Sequence, residues 1–346
     1  MSFDLNKIVR PKIKELKPYS SARDEFTGQA DIYLDANENP FETGLNRYPD
    51  PYQDKLKTKL SKVKNVNKDS IILGNGSDEV IDLIFRAFCE PGKDEVIILP
   101  PTYGMYQVCA DINHVKTNKV SLTIDFEIDE IKLFESINEN TKIIWICSPN
   151  NPTGNTMDPI AIKKLLNSFE GIVVIDEAYI DFSYSQSWID FLDFHPNLVI
   201  IQTLSKAWGL AGLRLGMGFG SKGIISILNK IKPPYNINSL TQDKALDAIG
   251  YLEKKNEAVD LILVEKVKLI EGLNLLYGVK KIHQSDTNFV LVKIDNADYI
   301  YDQLVKRSII VRNRSNIKLC KDCLRITVGN VDENKKLLQA IKEITE

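Results

Sequence analysis

The chain of 346 residues is poor in sulfur and imidazole groups, with five cysteines and three histidines. Cys89, Cys109, Cys147, Cys320 and Cys323 are odd in number and widely spaced, which argues against a disulfide framework. Cys320-Lys-Asp-Cys323 is a lone C-x-x-C. A zinc site would need a second ligand pair, and His114, His195 and His283 are scattered, so no metal site is expected. The pair reads as incidental thiols beside a strand rather than a redox motif. No apolar run is long enough to span a bilayer. The start, Met1-Ser-Phe-Asp-Leu-Asn-Lys, has no apolar core behind a basic end, against a secretory signal. A formal charge of −3 gives no electrostatic reason to expect nucleic acid or an anionic membrane. A cytoplasmic enzyme is the expectation.

With 43% hydrophobic and 26% charged residues the composition is that of an ordinary globular protein, and the length suits two domains. From residue 70 onward, short Val/Ile-rich runs alternate with polar loops and helices. The runs are Ser70-Ile-Ile-Leu73, Asp94-Glu-Val-Ile-Ile-Leu99, Thr141-Lys-Ile-Ile-Trp-Ile146, Gly171-Ile-Val-Val-Ile175 and Leu198-Val-Ile-Ile201. Continuous apolar strands alternating with helices predict a parallel sheet covered on both faces. Ligands bind beyond the carboxyl ends of such strands, so the polar loops should converge on one cleft. After Lys232-Pro-Pro-Tyr235 the pattern becomes a charged helical stretch from about Ser239 to Tyr277. Strand-like segments at Asn288–Val292, Ile309–Val311 and Leu324–Val328 and a closing helix follow, an α+β module. Three parts are expected: an arm, 1–30, packing on the small domain; a large domain, 31–235; and a small C-terminal domain, 236–346. Asp31-Ile-Tyr-Leu-Asp35 reads as a short strand.

The chemistry concentrates in Thr203-Leu-Ser-Lys-Ala-Trp-Gly-Leu-Ala-Gly-Leu-Arg214 and the glycines that follow it. Lys206 sits just past a buried strand, beside Ser205, with Arg214 eight residues on. A lysine so placed suits a Schiff-base link to a phosphorylated aldehyde, with Ser205 and Arg214 on the phosphate. The same residues also read as a surface Ser-Lys pair beside a packing-driven glycine run. Gly74-Asn-Gly-Ser-Asp78 lies between a strand and a helix, where free N–H groups can hold an anion, and it lacks the lysine of a nucleotide-binding P-loop. Asp176 ends a buried strand, a costly place for a carboxylate without a cationic partner, although an N-cap or a structural ion pair would also account for it.

In order along the chain, Gly76-Ser-Asp-Glu79, Pro101-Thr-Tyr103, Asn150-Asn-Pro-Thr-Gly154, Asp176-Glu-Ala-Tyr179 and Ser205-Lys206…Arg214 resemble the motifs of fold-type I pyridoxal-phosphate (PLP) aminotransferases. The resemblance extends over nearly the whole chain. It implies an α/β fold-type I PLP-dependent transferase: a large domain with a mostly parallel sheet covered by helices, plus a smaller α+β domain. It assigns Gly76, Ser77, Asp78, Ser205 and Arg214 to the cofactor phosphate, Lys206 to the Schiff base and Asp176 to the pyridine nitrogen. Tyr179 and Asn151 would hydrogen-bond the ring's phenolic oxygen, and Tyr103 would stack on the ring. On the residues alone, Tyr179 could be a core tyrosine and Asn151 a turn residue.

Finer signals, Leu34-Asp-Ala-Asn-Glu-Asn-Pro40, Asn46-Arg-Tyr-Pro49, Ile310-Val-Arg-Asn313 and Cys323-Leu-Arg-Ile-Thr-Val-Gly329, resemble the histidinol-phosphate aminotransferases. There Tyr19, Asn37, Arg312 and Arg325 would line the substrate site, and Tyr48 would reach the neighbouring subunit's cofactor phosphate in a homodimer. Trp208 departs from the family's frequent Phe. The implied reaction is ping-pong transamination between histidinol phosphate and 2-oxoglutarate, with Lys206 carrying the proton. A threonine-phosphate decarboxylase and an aromatic aminotransferase share these motifs and stay open. So does a bland reading of the arginines: Arg325 alternates with Leu324, Ile326 and Val328, and Arg312 could be a surface charge beside Arg314.

Overall fold

A computed structural model describes residues 3–19 and 30–346. Its larger sheet comprises β1 (Ile71–Asn75), β2 (Glu95–Ile98), β3 (Lys116–Lys119), β4 (Thr141–Cys147), β5 (Ile172–Asp176), β6 (Leu198–Thr203) and β7 (Leu215–Gly220). The spatial order is β1-β7-β6-β5-β4-β2-β3. Pairs among β2 to β6 are parallel, and β7 runs antiparallel to both of its neighbours, β1 and β6.

Alternation along the central strands feeds two separate cores. Ile144, Ile146, Val173, Ile175, Leu198 and Ile200 face the helices Asp54–Lys64, Pro159–Ser168 and Ser239–Ile249. Ile143, Trp145, Ile172, Val174, Val199 and Ile201 face Ser77–Phe88, Met105–Ile112 and Lys222–Ile231. Burial on both faces is why these strands read as unbroken apolar runs. The smaller sheet, in the order β10-β11-β9-β8, is antiparallel and consists of β8 (Val279–Ile282), β9 (Phe289–Ile294), β10 (Arg312–Asn313) and β11 (Cys323–Thr327). Its own core, including Leu269, Val290, Ile300, Ile326 and Leu337, packs under the helices Leu252–Asn274, Ala297–Lys306 and Val331–Thr345.

Several expectations are corrected. The described part of the arm, two short helices at Leu5–Ile8 and Pro11–Glu15, packs on the large domain and not on the small one. Phe3, Leu5, Ile8 and Ile13 cover apolar surface around the helices Ser77–Phe88 and Lys222–Ile231. Arg10 pins the arm: its N–H donates to Ala87 O at 3.1 Å and its guanidinium pairs with Glu90 at 3.2 Å. Residues 20–29 of the arm lie outside the described residues. Helix Ser239–Ile249 buries Ala245 and Ile249 in the large domain's core, so that core extends past the expected boundary at 235/236 to residue 249. Residues 31–35 form no strand. The glycine-rich run after Arg214 forms a regular strand, β7, and polar β3 (Lys-Thr-Asn-Lys) is an edge strand that lysines keep from further pairing.

The glycines of β7 serve close approach. Gly216 pairs with Gly74 of β1, and a Cβ there would overlap the backbone of Gly76 and Ser77. That contact seats the helix Ser77–Phe88 on the sheet. Gly216→Ala should therefore lower stability by about 3 kcal/mol, because backbone rather than a flexible side chain must yield. Urea unfolding checks this, and an unchanged midpoint would show that the close approach is dispensable.

Candidate functional site

The carboxyl ends of β1, β2, β4, β5 and β6 empty into a cavity of about 650 Å³, closed on its far side by the small sheet. Ser77, Asp78, Tyr103, Asn151, Asp176 and Tyr179 line it, and so do Ser205, Lys206, Arg214, Arg312 and Arg325. Residues separated by up to 248 positions thus meet in one space.

At one end is a helix start. Gly76 takes φ +82°, a conformation glycine supplies cheaply, and its N–H donates to Arg214 O at 2.7 Å. The Arg214 guanidinium folds back over Gly76, 3.8 Å from the Asp78 carboxylate, and leaves no room for a side chain there. Arg214 itself is left-handed at φ +52°, a strained conformation for a non-glycine residue. Thr203 Oγ donates to Ser205 Oγ at 3.0 Å, which orients the second hydroxyl. N–H groups of the helix's first turn, a hydroxyl and a guanidinium make a cradle for a phosphate dianion.

At the cavity floor Asp176 is 3% exposed. Its Oδ1 accepts the N–H of Ala178 at 3.0 Å and its Oδ2 accepts the hydroxyl of Tyr106 at 2.7 Å. Burial pushes the carboxyl up to about 6, against the opposing pull of these hydrogen bonds. Among the described residues no cation forms an ion pair with it, although Lys206 is near enough to be felt. A protonated ring nitrogen supplies what this carboxylate lacks, so the donor set fits PLP. Lys206 extends into the open cavity, its Nζ 5.5 Å from the Tyr179 ring centre. Burial among the cavity walls, then Arg325, lower its pKa, which favours the nucleophilic amine. Tyr103 stands at the cavity wall with its hydroxyl donating to Asp78 at 3.0 Å.

The opposite end is cationic. β10 pairs with β11 so that Arg312 lies opposite Arg325. Arg325 donates through Nη1 to Asn151 Oδ1, and its guanidinium lies 5.1 Å over the Phe289 ring. Arg314 also lines the cavity, and burial followed by Arg325 and Arg312 pushes its pKa down to about 10. The Nε atoms of both Arg314 and Arg325 are buried without a hydrogen-bond partner. No carboxylate pairs with any of the three arginines among the described residues, which leaves an anion-binding wall.

Arg314, Thr203 and Tyr106 were missed as site residues. Arg312 and Arg314 have the i, i+2 spacing that shares one face of an extended segment, and this signal was available. Conversely, Tyr48, Asn37 and Tyr19 are not brought to the cavity. Tyr48 stacks on Tyr235 at 4.5 Å and, with Asn37, borders a separate surface hollow of about 440 Å³. Tyr19 is 70% exposed. Cys320 and Cys323 are buried, with thiols pushed up to about 12 and 11 by burial, which disfavours the thiolates that redox chemistry needs.

The chain belongs to the aminotransferase class I and II family, whose model matches residues 34–341. Within it, the chain is 55% identical over 344 residues to a histidinol-phosphate aminotransferase of Christiangramia forsetii, covering 99% of this chain and 98% of the relative. Among solved structures, the histidinol-phosphate aminotransferase of Clostridium acetobutylicum superposes with a TM-score of 0.80 at 26% identity, covering 87% of this chain and 91% of that one. That of Sinorhizobium meliloti, in complex with pyridoxal-5'-phosphate, shares the fold with a TM-score of 0.79 at 23% identity, covering 86% and 83%.

Asp176 makes a prediction for the protein without cofactor. Its folded pKa of about 6 lies above the ordinary aspartate value, so the native state holds the proton where the unfolded chain has released it. Stability from this group therefore falls as pH rises from 4 through 6, by at most about 3 kcal/mol. Asp176→Asn should flatten the fall in urea midpoint between pH 4.5 and 7.5. Identical slopes in the two proteins would mean that another group titrates.

Proposed function

We propose that the protein is a PLP-dependent histidinol-phosphate aminotransferase of histidine biosynthesis, exchanging the amino group of L-histidinol phosphate with 2-oxoglutarate. The observation that carries this reading is the placement, across one cavity, of Lys206 and unpaired Asp176 opposite three arginines without carboxylate partners. The close relatives named above support the substrate. PLP, when bound, supplies an aldehyde carbon for covalent attachment and a ring that takes up the electron pair left on the substrate carbon.

The residues of the chain do the rest. Gly76, Ser77, Asp78, Ser205 and Arg214 hold the cofactor's phosphate. Asp176 would hold a proton on the ring nitrogen, Tyr103 would cover a ring face, and Tyr179 and Asn151 would orient the ring oxygen. Lys206 Nζ would be the base that takes the proton from the carbon that bears the amino group. Histidinol phosphate has no carboxylate, so its phosphate is the anchoring anion. Arg312, Arg314 and Arg325 bind that phosphate in one half-reaction and the carboxylates of 2-oxoglutarate in the other, since planar guanidinium forks pair with either.

The reading includes a homodimer. Ile32, Leu34, Phe41, Leu45, Tyr48 and Tyr52 are each at least half exposed along one segment, a larger apolar display than a monomer normally leaves in water. A second copy covering it would bring Tyr48 to the neighbour's cavity. A cytoplasmic setting accords with five free cysteines. No helix among the described residues is long and apolar enough to cross a membrane.

The test is a single-turnover spectrum. L-Histidinol phosphate alone should bleach the visible band of the bound cofactor, and 2-oxoglutarate should restore it. An unmoved band, with carbon dioxide released from O-phosphothreonine, would make the protein a lyase instead. Lys206→Ala should abolish turnover while the fold persists, and normal steady-state activity in it would refute the assignment. Arg314→Gln should raise KM for histidinol phosphate roughly 10- to 100-fold, the loss of a charge-assisted contact. An unchanged KM would remove Arg314 from the substrate wall.

A further inference from the structure

Tyr106 is a fully buried polar side chain that no part of the reaction above uses. It lies three residues beyond Tyr103, in the first turn of the helix Met105–Ile112. Its ring is held on two sides. It stacks on Trp145 at 5.0 Å, which stacks on Phe85 at 5.1 Å, and it meets Tyr103 edge-on at 5.6 Å and 84°. The ring therefore has one position, and from it the hydroxyl donates to Asp176 Oδ2 at 2.7 Å. The other carboxylate oxygen takes a backbone N–H.

We propose that Tyr106 is a positioning residue for the reaction: its hydroxyl keeps Asp176 ionised and aimed at the cofactor, while its ring sets the attitude of Tyr103. The proposal rests on the PLP reading above. Burial alone favours a neutral Asp176, and a neutral carboxyl cannot stabilise a protonated ring nitrogen. A hydrogen bond donated to the charged form opposes burial. The other titratable groups felt at Asp176 are Asp78 from the helix start, which works against ionisation, and Lys206 from the loop after β6, which favours it. Tyr103, Tyr179 on the exit from β5, and Cys147 at the end of β4 complete the surroundings. Among these side chains Tyr106 alone makes a hydrogen bond to the carboxylate. Burial and the adjacent Asp176 raise its phenol well above the ordinary value, so it remains a proton donor throughout the working range.

Tyr106→Phe retains the ring stack and deletes the hydroxyl. Its dissociation constant for PLP, from fluorescence titration of the cofactor-free protein, should rise about tenfold. The acid limb of cofactor binding should move to higher pH, because Asp176 then takes up its proton sooner. A double-mutant cycle separates positioning from packing. If Tyr106 acts through the carboxylate, adding Tyr106→Phe to Asp176→Asn should cost no further affinity. An unchanged dissociation constant and acid limb in Tyr106→Phe, or losses that simply add in the double variant, would overturn the proposal and leave the aminotransferase reading intact. A wild-type protein that takes up no PLP would overturn both.

Discussion

Asp176 is a charge taken out of water at the end of a strand whose other members are all apolar. A carboxylate in that position is tolerable only with hydrogen bonds and a cation. The fold supplies hydrogen bonds from Tyr106 and Ala178 and withholds the cation. The arginine wall shows the converse, three cations drawn together without a carboxylate among them. Each is a local cost to the empty protein, and each is relieved by a ligand of the complementary charge. Binding and stability are then linked: whatever occupies the cavity stabilises the native state by mass action.

The two deficits lie on opposite sides of the cavity, one on the large sheet and one on the small sheet. Phe289, in β9, lies under the Arg325 guanidinium and meets the ring of Tyr179 edge-on at 5.2 Å. Tyr179, Phe182, Ala207, Val259 and Phe289 form a small apolar cluster of their own, bridging the loop that carries Lys206 and the small domain. Arg325 adds a polar tie to Asn151. Further ties join the two parts: Leu291, Cys320 and Cys323 enter the large domain's core, and Asp286 accepts the Thr156 hydroxyl at 2.8 Å.

How much of this was legible in the sequence follows from where the information resides. The central strands were readable because burial on both faces leaves no polar position to interrupt them. That Lys206, Asp176 and the Gly76 loop meet at one cavity was readable because each lies at or just past the carboxyl end of a strand in the same sheet. β7 was not readable, since its Gly216 answers to the backbone of Gly76 and Ser77, about 140 positions away. The docking side of the arm was hidden for a similar reason: Phe3, Leu5, Ile8 and Ile13 announce an apolar face and not the surface that receives it. Tyr106 carries no signature at all, because a tyrosine three places from Tyr103 acquires its meaning only when β5 arrives beside it.

Tyr48 and Asn37 mark the limit of what one chain can display. Their segment, 32–52, carries exposed apolar side chains and no regular structure, yet it is internally tied: Glu38 receives the Tyr48 N–H at 2.7 Å and the Arg47 guanidinium at 2.7 Å. A loop with such ordered contacts and such an uncovered surface is shaped for an external partner rather than for solvent. If that partner is a second copy, two-fold symmetry makes the contact reciprocal, so that each subunit offers the other the same segment. Completion of the cavity would then depend on assembly, and the separation of Tyr48 from Lys206 within one chain is the expected geometry rather than an objection to its role.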